Sequence, residues 1–72
     1  MENERLKELG KKVLLFRVEK GMTITELSEK ARVSFSTISS LENGKCPPRA
    51  STLYKLAIIL EVDPKELLDY LN

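Results

Sequence analysis

An all-α fold of five short helices is predicted for this 72-residue chain by three observations. Apolar residues recur at three- and four-residue spacing along most of the chain. Ser, Thr or Asp, the residue types that cap helix N-termini, precedes several of these stretches. Glycine or proline separates them, and no stretch shows the alternation of an exposed strand. The length fits one domain, residues 1–72, with a single small core.

The first predicted helix runs from about Glu4 to Lys20. Its apolar residues fall at helical spacing and so form one face, which is composed of Leu6, Leu9, Val13 and Phe16. Lys20 in the last turn and Gly21 directly after it are typical of a helix C-terminus.

Helix two begins at Ile24. Thr23 is a good N-cap, and Glu26 at the third helical position completes the pattern of a capping box. Met22 before the cap and Leu27 after it are placed to form a hydrophobic staple.

Helix three begins at Phe35, because Ser34 before it is another good N-cap. Asn43-Gly44 tolerates left-handed backbone and ends the helix. Only residues 32–34 separate helices two and three, so the chain turns too sharply for antiparallel packing. This is helix-turn-helix geometry, in which the second helix of the pair is offered to a DNA major groove.

Helices four and five follow a loop that Pro47-Pro48 keeps from being helical. The apolar face of helix four is formed by Leu53, Leu56, Ala57 and Leu60. The sequence Asp63-Pro64-Lys65-Glu66 predicts a third capping box with Pro64 at the favoured first position. We expect helix five to run from there to near Leu71.

Composition argues against several classes of function. The chain has no His and a single Cys, so we predict no disulfide, no metal site and no cofactor. It also lacks paired carboxylates at catalytic spacing, a phosphate-binding glycine loop and room for a buried pocket, and so we predict neither an enzyme nor a small-molecule ligand.

No run of residues is apolar enough to span a membrane, and the N-terminal residues do not form a signal peptide. We therefore expect a cytoplasmic protein without a membrane partner.

Positive charge is concentrated in the middle of the chain, although the net charge is only +1. Residues 1–29 carry six basic and six acidic groups, residues 30–55 carry five and one, and residues 56–72 carry one and four. This gradient suits a domain that places one face on phosphates. Five scattered basic residues are equally compatible with ordinary solvated surface.

Nearly the whole chain resembles the phage repressor and Cro family of helix-turn-helix domains. The matching residues are Gly10, Val13, Phe16-Arg17, Lys20-Gly21-Met22-Thr23, Glu26-Leu27, Val33-Ser34, Thr37-Ile38-Ser39, Leu41-Glu42-Asn43-Gly44-Lys45, Pro48, Leu53, Leu56-Ala57, Leu60, Val62 and Glu66-Leu67. The resemblance implies a lambda repressor-like, all-α DNA-binding domain. It further implies a homodimeric, sequence-specific transcriptional regulator, usually a repressor, that binds double-stranded DNA at an inverted-repeat operator.

Three positions depart from the family pattern. Ile24 replaces a glutamine that braces the recognition helix and a phosphate, so this polar brace is missing. Ser28 replaces a small alanine, which is a minor change. Arg32 replaces the glycine of the turn, and a left-handed arginine there would cost about 1 kcal/mol.

The resemblance also implies the residues that contact DNA. The first, second, fifth and sixth residues of helix three would face base edges; here they are Phe35, Ser36, Ser39 and Ser40. None can form a bidentate pair with guanine or adenine, whereas Ser can bond several bases and Phe can pack on a thymine methyl. The alternatives are that Phe35 folds into the core and that the serines are solvated or bond back to the helix.

Phosphate contacts are implied, by side chain or backbone amide, at both ends of the helix pair. These residues are Thr23, Ile24, Thr37, Asn43, Lys45 and Arg49. Lys30 and Arg32 are further candidates, although solvation explains their charges as easily.

Arg17 and Glu42 match a family Arg and Glu and have apolar neighbours in sequence, Phe16 and Leu41. We therefore predict a buried or half-buried ion pair between helix one and the end of helix three. The alternative is two exposed charges that contribute under about 1 kcal/mol.

Five further apolar residues lie outside the minimal core pattern: Leu14, Leu15, Val18, Ile58 and Ile59. They form either part of a dimer interface or packing beneath the chain termini. Family members often pair through helix five and the loop before it, which would implicate residues 61–67.

A second hypothesis belongs to another class of function. The chain would be an antitoxin-like or adaptor module for protein interaction, which keeps the fold although helix three has lost base specificity. The short side chains of helix three favour this reading, and the basic middle segment with Asn43-Gly44-Lys45 favours the regulator.

Overall fold

The computed structural model describes residues 3–71, and in this part of the chain every regular element is helical. The elements are α1 (Asn3–Glu19), α2 (Ile24–Ala31), α3 (Phe35–Glu42), α4 (Ala50–Leu60), α5 (Pro64–Leu68) and a 3₁₀ turn (Asp69–Leu71). The predicted all-α fold is confirmed. No helix within these residues is long and apolar enough to cross a membrane.

The predicted N-caps of α2 and α3 are confirmed. Thr23 Oγ1 accepts from the Glu26 amide at 3.1 Å, and Glu26 Oε1 accepts from the Thr23 amide at 3.0 Å, which completes the capping box. Ser34 Oγ accepts from the Thr37 amide at 3.2 Å. Both helices therefore begin where the local sequence satisfies their first free amides.

α5 begins at Pro64 after the Asp63 cap, as predicted, but its capping bonds and its end differ from the prediction. Asp63 caps the helix through the Lys65 amide at 2.9 Å, without a reciprocal bond from Glu66, so the predicted capping box was wrong. The Glu66 carboxylate lies instead 4.0 Å from the Lys12 ammonium. The α-helix ends at Leu68 and tightens into the 3₁₀ turn, a common form of a last helical turn.

The core lies between all five helices and is apolar. It consists of Leu9, Val13, Leu27, Ala31, Val33, Ile38, Leu41, Leu53, Leu56, Ala57, Leu60 and Leu67. α1 packs on α3 and on the C-terminal segment, while α2 packs on α3 and α4. Gly10 allows α1 to approach α3 closely, because a Cβ there would clash with the Leu41 carbonyl oxygen.

Two non-glycine residues end helices in left-handed backbone. Arg32 after α2 has φ 57° and ψ 44°, and Glu61 after α4 has φ 60° and ψ 42°. The Glu61 carboxylate accepts a hydrogen bond from the Lys20 ammonium, which lowers the pKa of Glu61. Arg32 therefore has the left-handed backbone of the glycine that it replaces in the family pattern, and this conformation forms part of the tight turn between α2 and α3.

Four of the five additional apolar residues are exposed. The exposed fraction is 38% for Leu14, 52% for Leu15, 58% for Val18 and 69% for Ile58, whereas Ile59 is half-buried against the core. Packing beneath the rest of the chain therefore explains Ile59 alone.

Candidate nucleic-acid interface

The outward face of α3 carries the four predicted base-contacting residues. α3 buries Ile38 and Leu41 against the core, and this orients its opposite face to solvent. Phe35 and Ser36 are exposed, whereas Ser39 and Ser40 are half-buried. The alternative that Phe35 folds into the core was wrong, because 52% of this residue is exposed.

Three hydroxyl groups meet at the N-terminus of α3. Ser34 Oγ lies 2.6 Å from Thr37 Oγ1 and 3.4 Å from Ser36 Oγ. Ser34 also accepts from the Thr37 amide, so the Thr37 and Ser36 hydroxyls both lie near the cap oxygen at the exposed start of the helix. Within residues 3–71 no hydroxyl of Ser36, Ser39 or Ser40 bonds back to a helix carbonyl.

The start of α2 offers fewer donors than the sequence implied. Ile24 is half-buried and packs against the core, so only its backbone amide remains for a phosphate. Thr23 is exposed, but its hydroxyl lies 3.5 Å from the Glu26 carboxylate of the capping box. A phosphate at this end of α2 would therefore meet a negative charge next to the helix amides.

The end of α3 fixes the position of Lys45. The Lys45 amide donates to the Ser40 carbonyl at 2.9 Å and the Gly44 amide to the Leu41 carbonyl at 3.0 Å, which is a Schellman motif. Asn43 donates one side-chain N–H to the Ser39 carbonyl at 2.8 Å and keeps its second for another acceptor. Both Asn43 and Lys45 are exposed.

A shallow groove of about 460 Å³ runs between α3 and the loop that leads to α4. It is lined by two predicted base-contacting residues, Ser36 and Ser40, and by two predicted phosphate-contacting residues, Thr37 and Arg49. Arg49 occupies the N-cap position of α4 without a capping side-chain bond, so the first amides of α4 have no side-chain acceptor. The structure thus brings a hydroxyl-rich wall, a guanidinium and a helix N-terminus into one concave surface.

Thr52 lines the same groove, and the sequence reasoning missed it. It lies three residues after Arg49, so the first turn of α4 places both residues at one end of that helix. The sequence signal that could have identified Thr52 is its position as a polar residue three positions after Arg49.

The charges around this surface favour the binding of an anion such as a phosphate. The described residues form ion pairs between Lys12 and Glu66, Arg17 and Glu42, and Lys20 and Glu61. None of these pairs uses Lys45 or Arg49, so both cations remain for a phosphate. A cleft of similar size between α1 and α5 carries charges of both signs and none of the predicted DNA-contacting residues.

Arg17 and Glu42 hold α3 at a fixed angle to the rest of the domain. Arg17 Nε donates to Glu42 Oε2 at 2.7 Å, Nη2 donates to Oε1 at 3.0 Å, and Nη1 donates to the Met22 carbonyl at 2.8 Å. The bond to Glu42 raises the pKa of Arg17. One guanidinium therefore joins α1, the end of α3 and the segment that leads into α2.

Comparison with known proteins agrees with this geometry. A family model described as helix-turn-helix matches residues 13–67. The HTH-type transcriptional regulator SinR of Bacillus subtilis is 39% identical over 62 residues, which cover 85% of this chain and 56% of SinR. The uncharacterized HTH-type transcriptional regulator y4dJ of Sinorhizobium fredii is 39% identical over 61 residues, which cover 85% of this chain and 79% of y4dJ.

A third relative, the uncharacterized HTH-type transcriptional regulator YozG of Bacillus subtilis, is 40% identical over 50 residues, which cover 68% of this chain and 60% of YozG. The chain thus spans little more than half the length of SinR. No solved structure gives a significant match. The relatives are named as regulators and not as enzymes, in agreement with the prediction of a non-enzymatic protein. The match over most of its length shows that this chain belongs to the helix-turn-helix family.

Proposed function

We propose that the chain is a sequence-specific transcriptional regulator that binds double-stranded DNA with α3 in the major groove. The main observation in support is that the exposed face of α3 lies next to exposed basic residues. Phe35 and Ser36 project from the start of α3, while Lys45 and Arg49 follow its end in one loop. This arrangement suits base contacts at the centre and phosphate contacts at the edge.

In this proposal, direct contacts between α3 and the bases contribute only part of the sequence specificity. Its polar side chains on the outward face are serines, which form single neutral hydrogen bonds with several bases. Each such bond contributes about 0.5–1.5 kcal/mol. Bridging water, operator deformability and half-site spacing therefore supply much of the specificity.

We propose that two copies bind together and that the bound dimer acts as a repressor. One α3 with a single aromatic ring and three short hydroxyls reads too few base pairs to single out one site among many. Two copies related by a twofold axis double the readout and require an inverted repeat. We propose that such a regulator works in the cytoplasm, beside the DNA it controls.

The competing function is protein interaction through an α3 face that no longer reads bases. The observation in its favour is the lack of long polar side chains on α3. Both functions agree with the fold, but only the regulator requires affinity for particular duplexes.

Selection of bound duplexes from a random pool tests the proposal. We expect one inverted repeat to be enriched, and the combined change Phe35→Ala, Ser36→Ala, Ser40→Ala to reduce affinity for it much more than affinity for random duplex, with the part of the preference that comes from operator deformability and spacing retained. The exposed Lys65 on α5 gives a control variant, Lys65→Ala, that should retain the preference. A pool without enrichment at low salt would favour the protein-interaction function.

A further inference from the structure

A third concave surface lies between the end of α2 and the second half of α4. We call it the α2–α4 groove. It has a volume of about 260 Å³ and is lined by Lys30, Ala31, Arg32, Lys55, Ile58 and Ile59. None of these residues belongs to the groove beside α3.

The floor of the α2–α4 groove is apolar. Ala31 is buried and Ile59 is half-buried, whereas 69% of Ile58 is exposed. Ile58 is the most exposed of the large apolar residues in the described part of the chain. It contributes to neither the core nor the α3 face, so packing within the domain does not account for it.

The rim of the same groove is basic. Lys30, Arg32 and Lys55 line the groove beside the apolar floor, and no acidic residue in the described part of the chain lines it. The ion pairs formed within residues 3–71 involve other cations. Arg32 reaches the rim from left-handed backbone, where glycine is the residue without strain, so the chain keeps a guanidinium here despite a conformational cost.

We propose that the α2–α4 groove binds an acidic amphipathic segment of a partner protein. Apolar side chains of that segment would cover Ile58 and contact Ile59, and carboxylates beside them would pair with the three cations of the rim. This match of an apolar centre with a charged border is typical of a helix laid in a groove. Charge complementarity selects an acidic segment over a basic one.

Three other occupants fit the groove less well. It is shallow and smaller than the roughly 300–1,000 Å³ of small-molecule sites. A DNA backbone would use the cations but would leave Ile58 against charged phosphates. A second copy could offer its own acidic residues near the C-terminus, but two of them, Glu61 and Glu66, already lie beside Lys20 and Lys12.

The test is a titration of the ¹⁵N-labelled chain with a synthetic peptide of about 15 residues, the length near which isolated helices become stable. The peptide carries leucine on one helical face and glutamate on the other. We expect saturable shifts at the amides of residues 30–32 and 55–59. Ile58→Ser and Lys55→Glu should each weaken binding about tenfold or more, the effect of one apolar side chain left exposed or one charge reversed.

Three controls separate this site from the rest of the molecule and test its charge preference. Leu15→Ser, a change at another exposed apolar residue, should leave peptide affinity unchanged. Lys55→Glu, at a residue outside the predicted DNA contacts and the candidate dimer residues, should retain the preference for the selected duplex over random duplex, so a failure of the groove is distinguished from a failure of DNA binding. A peptide with lysine in place of glutamate should not bind.

Three outcomes would overturn the proposal. The first is the absence of shifts at millimolar peptide. The second is a set of shifts confined to α3 and the loop after it, which would mean that the acidic peptide occupies the DNA surface. The third is a set of groove shifts that appears on raising the protein concentration without peptide, which would assign the groove to a second copy of the chain.

Discussion

Arg17 and Glu42 stand 25 positions apart in sequence and meet in a two-point ion pair, with N–O distances of 2.7 and 3.0 Å. Their side chains are only 12% and 6% exposed. The contact joins the end of α3 to the last turn of α1, so it helps to set the angle at which the α3 face is presented. Base contacts depend on such fixed placement of the reading helix.

Glu42→Ala is expected to lower the free energy of unfolding by about 3–5 kcal/mol, because it leaves the Arg17 guanidinium largely buried without its partner. Urea unfolding followed by circular dichroism measures the change. The matched control is Glu66→Ala, which removes an exposed contact of 4.0 Å and should cost under about 1 kcal/mol. Equal midpoint shifts for the two variants would contradict a structural role for the pair.

Arg32→Gly should stabilise the domain by about 0.5–1 kcal/mol. Removal of the Cβ from a left-handed residue relieves about 1–2 kcal/mol, and the greater freedom of glycine in the unfolded chain offsets part of this gain. Thermal unfolding measures the difference. Lys30→Gly, within α2, should instead destabilise by about 1 kcal/mol. A loss of stability in Arg32→Gly would show that its side-chain contacts outweigh the backbone strain.

Local signals predicted the helix starts and the turn between α2 and α3 well. Thr23 with Glu26 and Ser34 with the Thr37 amide form bonds within three residues, so their geometry is contained in the adjacent sequence. The left-handed backbone of Arg32 was considered only because the resemblance places this residue where the family has a turn glycine. The Asp63 cap was predicted correctly, but the reciprocal bond from Glu66 was not. The Glu66 carboxylate lies near Lys12 on α1, a neighbour that the local sequence does not reveal.

Features that depend on chain path could not be read from the sequence. Thr52 lines the same groove as Thr37 only because the proline-containing loop brings the start of α4 towards α3. The α2–α4 groove likewise requires two helices separated in sequence to meet with their cations on the same side. The exposed fraction of Ile58 is a result of that packing, since Ile59 beside it is half-buried.

Lys45→Ala and Arg49→Ala should weaken binding to all duplexes to the same extent. Each removes one phosphate contact, so the plot of log affinity against log salt concentration should flatten by about one unit of slope per variant. Fluorescence anisotropy over a salt series measures this slope, with Lys65→Ala as the control. A loss restricted to one selected duplex would assign base readout to the altered residue.

Phe35 is expected to read a thymine methyl group. Replacement of the contacted thymine by uracil removes one methyl, which corresponds to about 0.8 kcal/mol, or roughly a fourfold loss of affinity. The loss should occur with the unaltered chain and disappear in Phe35→Ala. Equal losses in both proteins would place the ring away from the methyl.

The central claim is that a dimer inserts one α3 into each of two successive major grooves. The dependence of binding on half-site spacing tests this claim most directly. The half-site centres should lie about one helical turn, roughly 34 Å, apart. Gel shifts on the selected operator with insertions of two or three base pairs, about a quarter turn, measure the dependence. We expect these insertions to remove most of the specific affinity, because one α3 no longer faces its groove. Equal binding across the series, or a one-to-one complex on a single half-site at full affinity, would contradict the account.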